Sequence, residues 1–162
     1  MNKVCIVTGA SRGMGYGIAK VLAEEEGATV YATARSKKAL DDLSASTKDS
    51  LGVIHPCVLD QADDGAVERF VLNVKAKEKQ IDLLVNSAYG GLTAMAPHFG
   101  KPFWERPVSV FDASMNIGLR SAFVISKFVA PHMVENKSGL MVQVSSFGGY
   151  GYLFDVGYGV GK

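Results

Sequence analysis

Residues 8–17 read Thr-Gly-Ala-Ser-Arg-Gly-Met-Gly-Tyr-Gly (TGASRGMGYG), and the fold is decided by how this stretch is read. It follows the apolar run KVCIV (3–7) and leads into an amphipathic segment, so the pattern predicts a strand, a tight turn and a helix over 13–26. Glycines at such a junction let the chain turn sharply and bring backbone amides close to an anion. The positive end of the helix dipole then points at the same place. By itself the cluster also fits a purely structural turn, and the elements around it decide between the two readings.

Working outward, ATVYATA (28–34) reads as a second strand and 36–48 as a polar helix. GVIHPCVL (52–59), a helix over 62–78 and IDLLVNSA (81–88) follow. A helix near 107–135 and a last strand, GLMVQVSS (139–146), complete five strands alternating with helices. Continuous Val, Ile and Leu in these runs predicts strands buried on both faces, as in a parallel sheet between helix layers. Right-handed crossovers make this an α/β fold with a doubly wound, Rossmann-like sheet, so residues 1–162 read as a single dinucleotide-binding domain. The connector from Ala88 to Arg106 is long and rich in Gly, Pro and aromatics, as loops bordering binding sites often are. Its Phe103 and Trp104 fit a gap between helices as well as they fit a substrate contact.

Composition narrows the classes. The 162 residues are 48% hydrophobic, and 17 basic against 16 acidic side chains give a net charge of +1. No basic block is available to hold a nucleic acid. Apolar runs such as AFVIS and KFVAPHMV break off before the roughly 18 residues that read as a membrane span, so no transmembrane segment is expected. MNKVCIVTG enters a strand directly and carries no signal-peptide pattern, which predicts an intracellular, cytoplasmic protein. Cys5 and Cys57 lie in separate apolar runs and read as buried thiols rather than a disulfide. His55, His98 and His132 share no ligand spacing, so no metal site is expected.

The glycines are spaced Gly-x-x-x-Gly-x-Gly, and NSAYG (86–90), Asn116, the paired Ser145 and Ser146, and YGVGK (158–162) follow in order. Together they resemble the short-chain dehydrogenase/reductase family along the whole chain. The stretches FWERP, NIGLR and YGVGK further resemble one subgroup of it, which implies lipophilic carbonyl substrates. The resemblance implies that Gly9, Ser11, Arg12, Gly13, Met14 and Gly15 line a nicotinamide dinucleotide, together with Asn86 and Ala88. Asp60 resembles the family's adenine contact and equally suits a cap for the next helix. Ser87 and Tyr89 depart from the family's Asn-Asn-Ala-Gly motif, and Tyr89 replaces a glycine where the backbone would approach the cofactor.

The second strand ends on Ala34, where an acidic side chain would read a ribose diol, and Arg35 follows at once. With Arg12 in the glycine turn, two guanidinium groups favour NADP(H) over NAD(H). Lys37 and Lys38 read as surface charges.

Hydride transfer to a carbonyl carbon needs a proton on its oxygen. A phenol, which titrates at about 10 in water, needs a cation beside it to serve near neutral pH. Tyr158 and Lys162 at i and i+4 would share a helix face. The resemblance makes Tyr158 the proton donor and acceptor, with Lys162 beside it and on the nicotinamide ribose. Asn116 would support a water linked to the lysine. Ser146 begins Ser-x-x-Gly with Gly149 and is taken to hold the substrate oxygen, although the spacing to Tyr158 would select Ser145.

Family members continue well past this lysine, so the sheet is expected to be incomplete on its C-terminal side. A helical stub at Tyr158 is too short to hold itself, and would fray unless other groups order it. A helix face with Phe123, Val124 and Phe128 would be left uncovered. Two readings of function follow. One is an NADP(H)-dependent oxidoreductase acting, in a longer form that the resemblance allows to be homo-oligomeric, on small carbonyls or secondary alcohols. The other is a truncated dinucleotide-binding or partner-binding chain without catalysis.

Overall fold

Strand β1 (Val4–Thr8) is buried along its whole length, and its side chains divide between two cores. Val4 and Ile6 enter one, Cys5 and Val7 the other. This alternation is what a strand covered on both faces requires. The structure is a computed structural model that describes residues 2–162. Around β1 lie β2 (Thr29–Ala34), β3 (Val53–Val58), β4 (Leu83–Asn86) and β5 (Leu140–Gln143). All pair in parallel, in the order β3-β2-β1-β4-β5.

Helices α1 (Gly13–Glu24) and α2 (Lys37–Ser46) close one face through Ala19, Ala23, Leu40 and Leu43. On the other face, α3 (Asp64–Lys77) contributes Val67, Val71 and Val74, while α6 (Ser121–Glu135) contributes Val124, Ile125, Val129 and Met133. The chain winds outward from β1 to β3, then returns to the other side of β1 through β4. That reversal opens a crevice at the carboxyl ends of β1 and β4, where ligands of such sheets bind.

Three expectations are corrected. A short α4 (Gly91–Met95) follows β4, and the single helix expected near 107–135 is instead α5 (Val108–Ser114), a π turn (Met115–Arg120) and α6. A π turn admits an extra residue, and such bulges gather at functional sites. The whole rod, Val108–Glu135, is 28 residues, long and apolar enough to cross a membrane by length and composition, yet α6 supplies part of the sheet's core. Cys57 is only half-buried, because β3 is an edge strand with no neighbour on its outer side. Of the helix face expected to be uncovered, Phe123 is exposed, but Val124 is buried and Phe128 packs against the core.

Candidate active site

The turn after β1 is built for close approach. Gly9 has φ +68°, and a Cβ there would lie 2.7 Å from Ala88 Cα; a Cβ on Gly15 would lie 2.5 Å from the Gly9 carbonyl oxygen. Gly13, at φ +59°, faces open space. The buried Thr8 hydroxyl accepts hydrogen bonds from the Ser87 and Ala88 amides at 3.0 and 3.1 Å, clasping the exit of β1 to that of β4. Arg12, at the N-cap of α1, gives no side-chain cap, and the first turn holds no acidic residue. The first amides of α1 and the dipole they carry therefore face the crevice without a competing carboxylate.

On the far side of the crevice, a short helix α7 (Val156–Val160) carries the buried Tyr158, and Lys162 follows in a tightened last turn. The Lys162 ammonium donates to the Val144 carbonyl at 3.3 Å and stands 4.5 Å from the centre of the Tyr89 ring. Burial lowers the lysine's pKa from its ordinary value. The Tyr89 ring meets Tyr158 edge to face, with centroids 5.5 Å apart. Its hydroxyl donates to Ser114 Oγ at 3.1 Å, and burial raises its pKa, which keeps it protonated. A cavity of about 100 Å³ is lined by Asn86, Ala88, Tyr89, Gly118, Val144 and Lys162, among others. Ala88, which lines the cavity, also packs against Gly9, so the glycine turn lies directly behind one wall of the cavity that Lys162 borders.

The five residues of α7 cannot stabilise themselves, and their order comes from outside the helix. Asp155 Oδ1 caps the Tyr158 amide at 3.2 Å, while Oδ2 pairs with Arg106 at 3.0 Å; both side chains are about 95% buried. Arg106 also donates to the Lys101 and Phe154 carbonyls. The Phe154 contact fixes a residue at φ +68°, a conformation that costs a side-chain-bearing residue free energy. Phe154 then packs against Tyr158, with centroids 5.5 Å apart.

The family model for short chain dehydrogenases matches residues 3–162. Dehydrogenase/reductase SDR family member 1 of Mus musculus is 43% identical over 165 residues, spanning 99% of this chain and 51% of the relative. The Homo sapiens protein of that name is 40% identical with the same coverage. This chain belongs to the short-chain dehydrogenase family. It spans about half the length of these curated relatives. Among solved structures, a metagenomic short-chain oxidoreductase in complex with NADP superposes with a TM-score of 0.87 at 29% identity, covering 99% of this chain and 70% of its own. An NAD+-bound xylitol dehydrogenase also gives 0.87 at 29%, covering 99% of this chain and 59% of its own.

Against that family pattern, the residues singled out from the sequence fall into three groups. Tyr158, Lys162, Ser145 and Ser146 come together: a Cβ on Gly148 would lie 2.5 Å from Tyr158 Cε1 and 3.3 Å from Ser146 Oγ, so Gly148 is the spacer between them. Ser146 Oγ accepts from the Gly148 amide at 3.1 Å, whereas Ser145 Oγ donates to the Lys162 carbonyl at 2.6 Å. Gly9, Gly13, Gly15 and Ala88 gather with Asn86 at the crevice; Asn86 donates to Ser126 and keeps a buried, unpartnered Oδ1. Asn116 stands apart, exposed on the π turn, with no side-chain hydrogen bond among the described residues.

Asp60 does not cap the next helix. Asp63 does so, through the Ala66 amide, while Asp60 Oδ1 closes its own turn onto the Ala62 amide. Arg12 donates to Thr93 Oγ1 at 3.1 Å. Lys37 and Lys38 pair with Asp41 and Asp42, but exposed Arg35 has no carboxylate partner among the described residues. Arg106, Asp155 and the ring of Tyr89 were not identified as site residues from the sequence. An aspartate three positions before Tyr158 is a readable cap signal, whereas the partner of a distant arginine is not.

Proposed function

We propose that the chain carries the cofactor cleft and proton-transfer residues of an NADP(H)-dependent oxidoreductase. The substrate class is a small, lipophilic carbonyl or secondary alcohol. The observation that carries this is the single cavity shared by Lys162, Tyr89 and Ala88, with Ala88 in contact with the glycine turn. The glycine turn, which would take the phosphates, thus lies one residue behind the cavity wall that Lys162 shares.

The residues fit a dinucleotide: Gly9 allows close approach, α1 presents uncapped amides, and Arg35 offers an unpaired guanidinium after Ala34. Arg35 and Arg12 would hold a 2′-phosphate, and Asp60 the adenine. When bound, the reduced nicotinamide supplies the hydride. Tyr158 holds the proton given to the substrate oxygen; its hydroxyl has no hydrogen-bond partner among the described residues. Lys162 lends positive charge to the phenol and reaches the ribose. Ser146 holds the substrate oxygen, because the Gly148 amide takes up its lone pair and leaves the hydroxyl proton free to donate. The family resemblance would have Asn116 support a water beside Lys162, a role to which its exposed side chain on the π turn brings no contact among the described residues. A relative from Paraclostridium sordellii named 7alpha-hydroxysteroid dehydrogenase, 32% identical over 162 residues, supports a lipophilic substrate.

The test is titration with NADPH together with carbonyl reduction followed at the nicotinamide absorbance. Binding and turnover are expected, and Tyr158→Phe is expected to remove turnover while NADPH binding persists. Undiminished turnover in that variant would reject the proton role.

A further inference from the structure

We propose that the Tyr89 ring is the seat of the Lys162 ammonium, a neutral counterpart that holds the cation beside Tyr158 without cancelling its field. The inference rests on the roles given above to Tyr158 and Lys162. Lys162 is half-withdrawn from water and forms no salt bridge with any described residue; its contacts are the Val144 carbonyl and the Tyr89 face. A carboxylate in that position would anchor the lysine more strongly, but its negative charge would offset the positive potential at the neighbouring phenol. An aromatic face attracts the ammonium through its quadrupole and carries no net charge.

The ring is held on all sides. Its hydroxyl donates to Ser114, whose own hydroxyl donates to the Val110 carbonyl, so the direction of both hydrogen bonds is consistent. Gly91 and Gly118 leave room for it: a Cβ on the first would lie 2.5 Å from Tyr89 Oη, and on the second 2.9 Å from Cε2. The Tyr89 and Tyr158 rings meet at an interplanar angle of 89°. One side chain therefore touches both members of the proton-transferring pair. Tyr89 is a positioning residue, acting through Lys162.

The experiment uses the full chain with its lysines reductively methylated with ¹³C, which preserves their charge. The Lys162 methyl resonance, identified by its loss in Lys162→Arg, is expected upfield of the other lysines because it sits over the ring. Tyr89→Phe should keep that shift, and Tyr89→Leu should return the resonance to the position of exposed lysines. In carbonyl reduction, Tyr89→Leu should lower kcat about tenfold, the scale of a desolvated cation–π contact. Tyr89→Phe should restore the rate. A wild-type Lys162 resonance with no upfield shift overturns the seat, and it needs no variant to fold. A normal rate in Tyr89→Leu overturns the positioning role. A wild-type chain that shows the shift but no turnover supports the seat and counts against the functional reading instead.

Discussion

At the scale of single residues, charge decides most of what the site can do. Arg35 follows a strand that ends on Ala34, and it has no carboxylate partner among the described residues, unlike the neighbouring Lys37 and Lys38. Arg35→Ala should therefore weaken NADPH about tenfold or more, the scale of a charge-assisted contact of roughly 1.5–3 kcal/mol, and leave NADH nearly unchanged. Fluorescence titration with both cofactors checks this, and equal losses would remove Arg35 from the phosphate. Lys162 supplies a pH test. Its pKa is lowered by burial, so its charge is present below that value and lost as pH rises through it. The alkaline fall in kcat/KM should come before the ordinary lysine value of 10.5, and a profile flat beyond it would show that the ammonium is not needed. Local spacing alone singles out the glycines, Arg35 and the Tyr158–Lys162 pair as candidates. Tyr89 was visible only as a departure from a motif, since its contacts with Ser114, Gly118 and Lys162 span distant segments.

At the scale of elements, α7 shows how a helix too short to stand alone is ordered by its neighbours. Asp155 both caps it and closes a buried ion pair with Arg106. Asp155→Ala removes the cap and leaves a buried guanidinium unpaired, a change expected to cost about 3–5 kcal/mol. Hydrogen exchange should then rise over 153–162 before it rises in β1, and Asp155→Asn, which keeps the capping oxygen, should show less of the effect. Unchanged protection of α7 in Asp155→Ala would mean that other contacts hold the helix. The sequence carried the strand positions well, because buried parallel strands are continuous apolar runs. It missed the π turn, since one extra residue inside a long helix barely disturbs the apolar periodicity on which the reading depends.

At the scale of the whole molecule, the doubly wound topology followed from the alternation of strand and helix patterns, and the sheet order β3-β2-β1-β4-β5 agrees with it. The outer edge of β5 is unpaired among the described residues, while Leu119, Phe123 and Leu140 are exposed on the adjoining helical rod or on β5 itself. An open strand edge beside exposed apolar side chains favours association, so the 162-residue chain should elute earlier from a sizing column as its concentration rises. A concentration-independent monomer would contradict this. The shared hydroxyl of Thr8 has a further mechanical meaning, since it ties the cradle's floor directly to the segment leading to Tyr89. A displacement of the glycine turn is thus passed to the segment leading to Tyr89 through two hydrogen bonds on one oxygen, without a flexible loop between them.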